Sequence, residues 1–120
     1  MPAVVLDANA LMMPFQFGLN ISAEIERLLG RCEMYVPASV ISELSSLAKK
    51  EKAASSALRL AKRFKVAVTR TVGDEAILEA ASALGAVVVT NDAALLERLR
   101  DMGIRRIMLR SRSHLVLEGD

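Results

Sequence analysis

The chain has 120 residues, enough for one domain with one core; 52% are hydrophobic and only 3% aromatic, so that core is aliphatic. Charged residues at 25% exclude a disordered chain, and no apolar run reaches the roughly 18–20 residues of a membrane span. The net charge of +2, from 16 Lys and Arg against 14 Asp and Glu, is too small to name a nucleic-acid partner by itself, and the lone Cys32 excludes an intrachain disulfide.

In chain order, Val4-Val5-Leu6 reads as a strand buried on both faces, and Asp7 sits where it stops. Residues 11–19 contain Pro14, Gly18 and two Phe, and read as an apolar loop with at most one helical turn. Asn20 or Ser22 caps a helix that ends at Leu29, with Gly30 as its stop. Met34-Tyr35-Val36 is a second strand, and Pro37 suits the first turn of the next helix. Val40, Ile41, Leu44 and Leu47 give that helix its apolar stripe, with Glu43 on the flank. A further helix runs from about Lys52 to Phe64. Residues 66–69 form a third strand, Gly73 breaks the chain, and Asp74 stands at or near the start of a helix ended by Gly85. Residues 86–90 are the clearest buried strand, and they run into Asn91-Asp92. A helix over 93–102 and a fifth strand over 104–109 follow, and residues 114–117 read as an edge strand in the tail.

Strand and helix alternate, which predicts an α/β fold: a three-layer α/β/α sandwich around a central parallel sheet of about four to five strands, with residues 1–120 as one domain. In such a sheet ligands bind beyond the carboxyl ends of the strands. Asp7, Glu43, Asp74 and Asp92 all lie at a strand's carboxyl end or in the helix that follows. Four acids held together repel unless a cation neutralises them. Oxygen ligands without His or Cys suit Mg²⁺ or Mn²⁺, and such ions promote phosphodiester hydrolysis. Asn9, Thr90 and Asn91 are expected to support that group, and Glu75 is a candidate extra ligand. Taken singly, each acid also has an ordinary reading, Asp74 as a helix cap and Glu43 as a solvated flank residue; their joint placement is the more specific signal.

These residues also make the chain similar to the PIN domain family. The shared features are Leu6-Asp7-Ala8-Asn9, the run Val36-Pro37-Ala38-Ser39-Val40-Ile41-Ser42-Glu43-Leu44, Asp74 to Ile77, and Thr90-Asn91-Asp92 after a Val-rich strand. Within that family, residues 11–17 and 114–119 resemble archaeal stand-alone PIN proteins related to endonucleases that process small-subunit ribosomal RNA. The resemblance implies a Mg²⁺- or Mn²⁺-dependent endoribonuclease with Asp7, Glu43, Asp74 and Asp92 as its metal site. It further implies products with a 5′-phosphate and a 3′-hydroxyl. Where relatives often show two Asp, this chain reads Asp74-Glu75.

Setting the four acids aside leaves a basic surface, which can steer a polyanion; the resemblance implies that this partner is RNA. One basic flank comprises Arg27, Arg31, Lys49, Lys50, Lys52, Arg59, Lys62 and Arg63; another comprises Arg105, Arg106, Arg110, Arg112 and His114. Phe15 and Phe17 could stack on bases, with core or dimer packing as the alternative; the apolar loop allows a homodimer. Three readings stand: an endoribonuclease of ribosomal RNA maturation, a toxin nuclease silenced by an antitoxin, and a non-catalytic RNA-binding scaffold. No membrane partner is expected, and a single cysteine points to the cytoplasm.

Overall fold

The computed structural model describes residues 1–119; Asp120, the end of the expected domain, lies outside them. Twelve elements follow in order: β1 (Ala3–Leu6), α1 (Ala8–Phe17), α2 (Ile21–Leu29), β2 (Glu33–Pro37), α3 (Ala38–Leu47), α4 (Lys52–Ala61), β3 (Lys65–Ala67), α5 (Gly73–Leu84), β4 (Val87–Val89), α6 (Ala93–Asp101), β5 (Arg106–Arg110) and β6 (His114–Glu118). They build an α/β fold around one sheet in the order β3-β2-β1-β4-β5-β6. The sheet has six strands rather than four to five: β1 to β5 are parallel and β6 returns antiparallel to β5. The sixth strand is β6, which includes the residues 114–117 read as an edge strand, and its antiparallel return to β5 needs only a tight turn and no crossover helix.

Val4, Val5, Leu6, Val87, Val88 and Val89 are all buried, so both faces of the two central strands are covered by helices. Each such aliphatic side chain contributes roughly 1.5–3 kcal/mol through its removal from water. Residues 8–17 form a helix of which residues 11–17 fall in the expected loop over 11–19. Pro14 lacks the N–H that would bond one turn back. Asp7 nevertheless caps the helix, Ala8, Ala10, Leu11 and Met13 are buried along it, and Gly18 closes it in the left-handed region with φ 69°. Tertiary burial has overridden the proline. The helix expected to reach Phe64 stops at Ala61. No helix among the described residues is long and apolar enough to cross a membrane.

The sheet's two edges differ. On β6, the Leu115 N–H donates to Glu24 Oε1 (2.8 Å) and the Leu115 carbonyl accepts from Arg27 Nη2 (2.8 Å); Glu24 and Arg27 also pair with each other on α2. Side chains thus occupy an edge position that another strand would use. On β3, Val66 and the following Val68 remain exposed, the latter by 88%. The β5–β6 hairpin turns through Ser111 and Arg112, both left-handed with φ 55° and 57°. The Ser113 N–H donates to the Arg110 carbonyl (3.2 Å), so these two are the central residues of a tight turn within a three-residue connection; Asn and Gly adopt that geometry at least cost, and each ordinary residue there stores about 1–3 kcal/mol.

Candidate active site

The chain passes from β1 outward to β2 and β3, then crosses back to place β4 on β1's other side. Neighbouring loops therefore diverge between β1 and β4, and a crevice opens at their carboxyl ends. Asp7 follows β1 and Thr90-Asn91-Asp92 follows β4, so both segments meet there.

Asp7 is a buried carboxylate, 9% exposed. Its Oδ1 accepts from the Ala10 N–H (2.9 Å), which caps α1, and its Oδ2 accepts from the Thr90 hydroxyl. Thr90 is wholly buried, and its Oγ1 in turn accepts from the Asp92 N–H (3.1 Å). Asp92 caps α6 through Oδ1, which accepts from the Leu95 N–H (2.8 Å). Thr90 is thus a bridge between the two acids. Burial pushes the Asp7 carboxyl up to about 7, against the pull of its bonds from Thr90 and Ala10; the charges of Asp92 and Asp74 push the same way.

Asn9 and Asn91 act on backbone. Asn9 Oδ1 accepts from the Asn91 N–H (3.0 Å), and Asn91 Oδ1 accepts from the Leu109 N–H (3.3 Å). Together they lash the ends of β1, β4 and β5 to one another. Glu43 and Asp74 lie further along the same sheet edge, on α3 and α5. Glu43, Ser39, Ser42 and Ser46 line one side of an open cleft of about 480 Å³, and Thr71 and Gly73 line the other. Ser39 Oγ is buried and has no hydrogen-bond partner among the described residues. Asp74 stands in the first turn of α5, whose cap position is Val72, so it is not the cap. Gly73 enters that helix at φ 63°, a conformation that strains any residue with a Cβ. Glu75 pairs with Arg98 of α6 (2.7 Å).

Asp7 and Asp92 are linked directly through Thr90, Asp74 reaches Asp7 through its charge, and Glu43 stands across the cleft from Gly73. Among the described residues no three His, Cys, Asp or Glu side chains close on a single point in the manner of a protein cage for a metal. An ion that keeps most of its water needs no such cage; Mg²⁺ binds through one or two carboxylates plus substrate oxygens. The oxygen-only donor set, the cost of ionising Asp7 unaided and the orphaned Ser39 hydroxyl fit such an ion.

Glu79 reads in the sequence as a surface charge, yet it has a structural part. Its carboxylate accepts from the Arg70 N–H (2.9 Å), the Thr71 N–H (3.1 Å) and the Thr71 hydroxyl (2.8 Å). These bonds hold its charged form below the ordinary carboxylate range and fix the loop that delivers Gly73 and Asp74. Its only sequence signal is an acid one helical turn past Glu75. The serines of the cleft do carry one: positions 39, 42 and 46 share a helical face with Glu43.

The C-terminal basic group separates. Arg106 is buried at the start of β5, donating to Glu118 Oε1 from Nε (3.2 Å) and Nη2 (3.1 Å) and to the Ile104 carbonyl from Nη1 (2.9 Å). Arg105 adjoins it at the far edge of the sheet, whereas Arg110, Arg112 and His114 stand at the edge that carries Asp7. The five residues do not form one patch, because a strand's length divides them.

Residues 4–112 match the model of a family described as PIN like domain. The chain is 35% identical to Ribonuclease VapC9 of Archaeoglobus fulgidus over 83% of its own length and 77% of that protein. It is 34% identical to Ribonuclease VapC4 of Methanocaldococcus jannaschii, covering 97% of this chain and 96% of that one. Among solved structures it is similar to the PIN domain endonuclease Utp24, with a TM-score of 0.84 and 23% identity, over 98% of this chain and 92% of the other.

Proposed function

Because the chain belongs to the PIN like domain family, we propose that it is a metal-dependent endoribonuclease that hydrolyses RNA phosphodiester bonds to 5′-phosphate and 3′-hydroxyl products. The observation that carries this reading is a buried threonine at the strand switch, which donates to the Asp7 carboxylate and accepts from the backbone N–H of Asp92, so that both acids are held at one place. Two relatives bearing ribonuclease names support the substrate class. Asp7 and Asp92 would hold a Mg²⁺ or Mn²⁺ ion, with Asp74 and Glu43 acting from the adjoining strand ends. When bound, such an ion activates a water and stabilises the leaving oxygen. Thr90 keeps Asp7 oriented, Asn9 and Asn91 keep the loops in register, and Glu79 holds the loop before Asp74. Glu43 and the serine hydroxyls beside it face the substrate across the cleft. Residues 1–120 form one nuclease domain acting in the cytoplasm.

Two RNA targets are in play. Ribosomal precursor RNA is favoured by the likeness of residues 11–17 and 114–119 to stand-alone PIN proteins. A toxin ribonuclease held by an antitoxin is favoured by the VapC names of the relatives. Incubation of the protein with structured and single-stranded RNA in Mg²⁺, Mn²⁺ or chelator tests the activity. Cleavage that needs the metal and is lost in Asp92→Asn supports it; intact RNA under every condition refutes it. Growth arrest on expression, relieved by a co-expressed small partner, separates the toxin reading from ribosomal processing.

A further inference from the structure

Two arginines at the tip of the β5–β6 hairpin have no polar partner among the described residues. Neither the Arg110 nor the Arg112 guanidinium has a hydrogen-bond or ion-pair partner among the described residues, and both residues are exposed. The other C-terminal arginine at a strand end, Arg106, is fully engaged by Glu118 and Ile104. Glu118 is the one acid between Ile104 and Gly119, and it lies opposite Arg106 at the hairpin's other end. The tip therefore carries positive charge that nothing on the hairpin neutralises.

Register places that charge. Val89, the last residue of β4, pairs with Ile107, and β5 continues to Arg110. Three further residues at about 3.3 Å each carry the tip roughly 10 Å past the end of β4. The hairpin thus stands as a wall beside the floor that holds Asp7 and Asp92. It is tied to that floor by the Leu109 N–H donating to Asn91 Oδ1 (3.3 Å). Arg112 is itself held: its guanidinium lies 5.4 Å from the centre of the Phe17 ring on α1. Stacking occupies one face of the guanidinium and leaves its N–H fork open. The left-handed backbone at Ser111 and Arg112 carries a cost that Asn-Gly would avoid.

We infer that this hairpin is a phosphate clamp for the RNA strand, with Arg110 and Arg112 gripping backbone phosphates to one side of the bond over Asp7 and Asp92. The ligand is a polyanionic strand, because the two guanidiniums lie two residues apart on an exposed tip without a polar partner among the described residues, rather than in a closed pocket for a small ion. The clamp rests on the reading of this site as a ribonuclease centre, and it positions the strand without reading bases.

The test measures binding and turnover separately. A labelled short single-stranded RNA is titrated by fluorescence anisotropy in chelator, where cleavage plays no part, against wild type, Arg110→Gln, Arg112→Gly and the double variant. Arg105→Gln, at the far edge, is the control. The double variant should bind roughly tenfold more weakly, and its log Kd against log salt slope should flatten by about 1.4, two contacts at about 0.7 each. In Mn²⁺, KM should rise with kcat held. Arg112→Gly relieves backbone strain, so its melting temperature should hold or rise while affinity falls, which separates lost binding from lost folding. Unchanged affinity and slope in the double variant, an equal loss in Arg105→Gln, or a wild type that does not bind RNA would each overturn the clamp. A hairpin that serves a protein partner would give the first of these. Binding that behaves as expected without metal-dependent cleavage would leave the clamp standing and remove the nuclease reading instead.

Discussion

Replacing Asp7 by Asn should abolish RNA cleavage and raise the stability of the metal-free protein. In the fold the Asp7 carboxyl titrates near 7, against an ordinary value of 3.8. A folded value above the unfolded one means that the side chain's contribution is fully present below pH 3.8 and is lost as pH rises to 7. Roughly three units at about 1.4 kcal/mol each put the penalty near 4 kcal/mol above pH 7. Asn keeps the cap on α1, since its Oδ1 can still accept from Ala10. It cannot accept from the Thr90 hydroxyl in the same way, which returns about 1–2 kcal/mol. The net gain is about 2–3 kcal/mol at pH 8, or a melting temperature higher by roughly 5–10 °C. Thermal unfolding in chelator from pH 3 to 9 measures it. The gap between variant and wild type should open above pH 4 and level off past pH 7, and Mn²⁺ should stabilise the wild type more than the variant. A variant that melts below the wild type at pH 8 in chelator would refute the argument that Asp7 is ionised at a cost.

Thr90→Val keeps the shape of the side chain and removes its bonds to Asp7 and Asp92; stability should fall by about 1–3 kcal/mol and cleavage by about tenfold or more, read by melting and single-turnover assays. Glu79→Ala should free the loop before Asp74: amide exchange at Arg70 and Thr71 should accelerate, and the Mn²⁺ concentration for half-maximal cleavage should rise. Exchange rates equal to the wild type's would show that the carboxylate does not hold that loop. Glu118→Gln should lower the melting temperature, because the buried Arg106 guanidinium loses its counter-charge, while RNA affinity stays as it was.

Local chemistry made much of this molecule legible. Val4-Val5-Leu6 and Val87-Val88-Val89 announce central strands because only residues buried on both faces lack polar alternation. Gly30 and Gly85 end helices as their positive φ requires, and the Asn20 cap stands where the pattern begins. Asp7 and Asp92 are conspicuous because an acid at the end of a buried strand has few reasons to be there. What stayed hidden depends on contacts far apart in the chain. Residues 11–19 read as a loop because Pro14 weighs locally, whereas burial of Leu11 and Met13 makes residues 8–17 a helix. Arg106 looked like surface charge until β6 brought Glu118 beside it. Glu79 and the orphaned Ser39 hydroxyl have meaning only once α3, α5 and their loops share a cleft.

The unequal edges of the sheet bear on how copies of this chain can associate. An edge strand is a template for another chain, and a sheet open at both sides can extend without limit into a fibre. Here Glu24 and Arg27 already fill the Leu115 position of β6, so recruitment there is blocked. Growth through β3 would join two molecules at most, each presenting its sealed side outward, and the assembly would terminate at a pair.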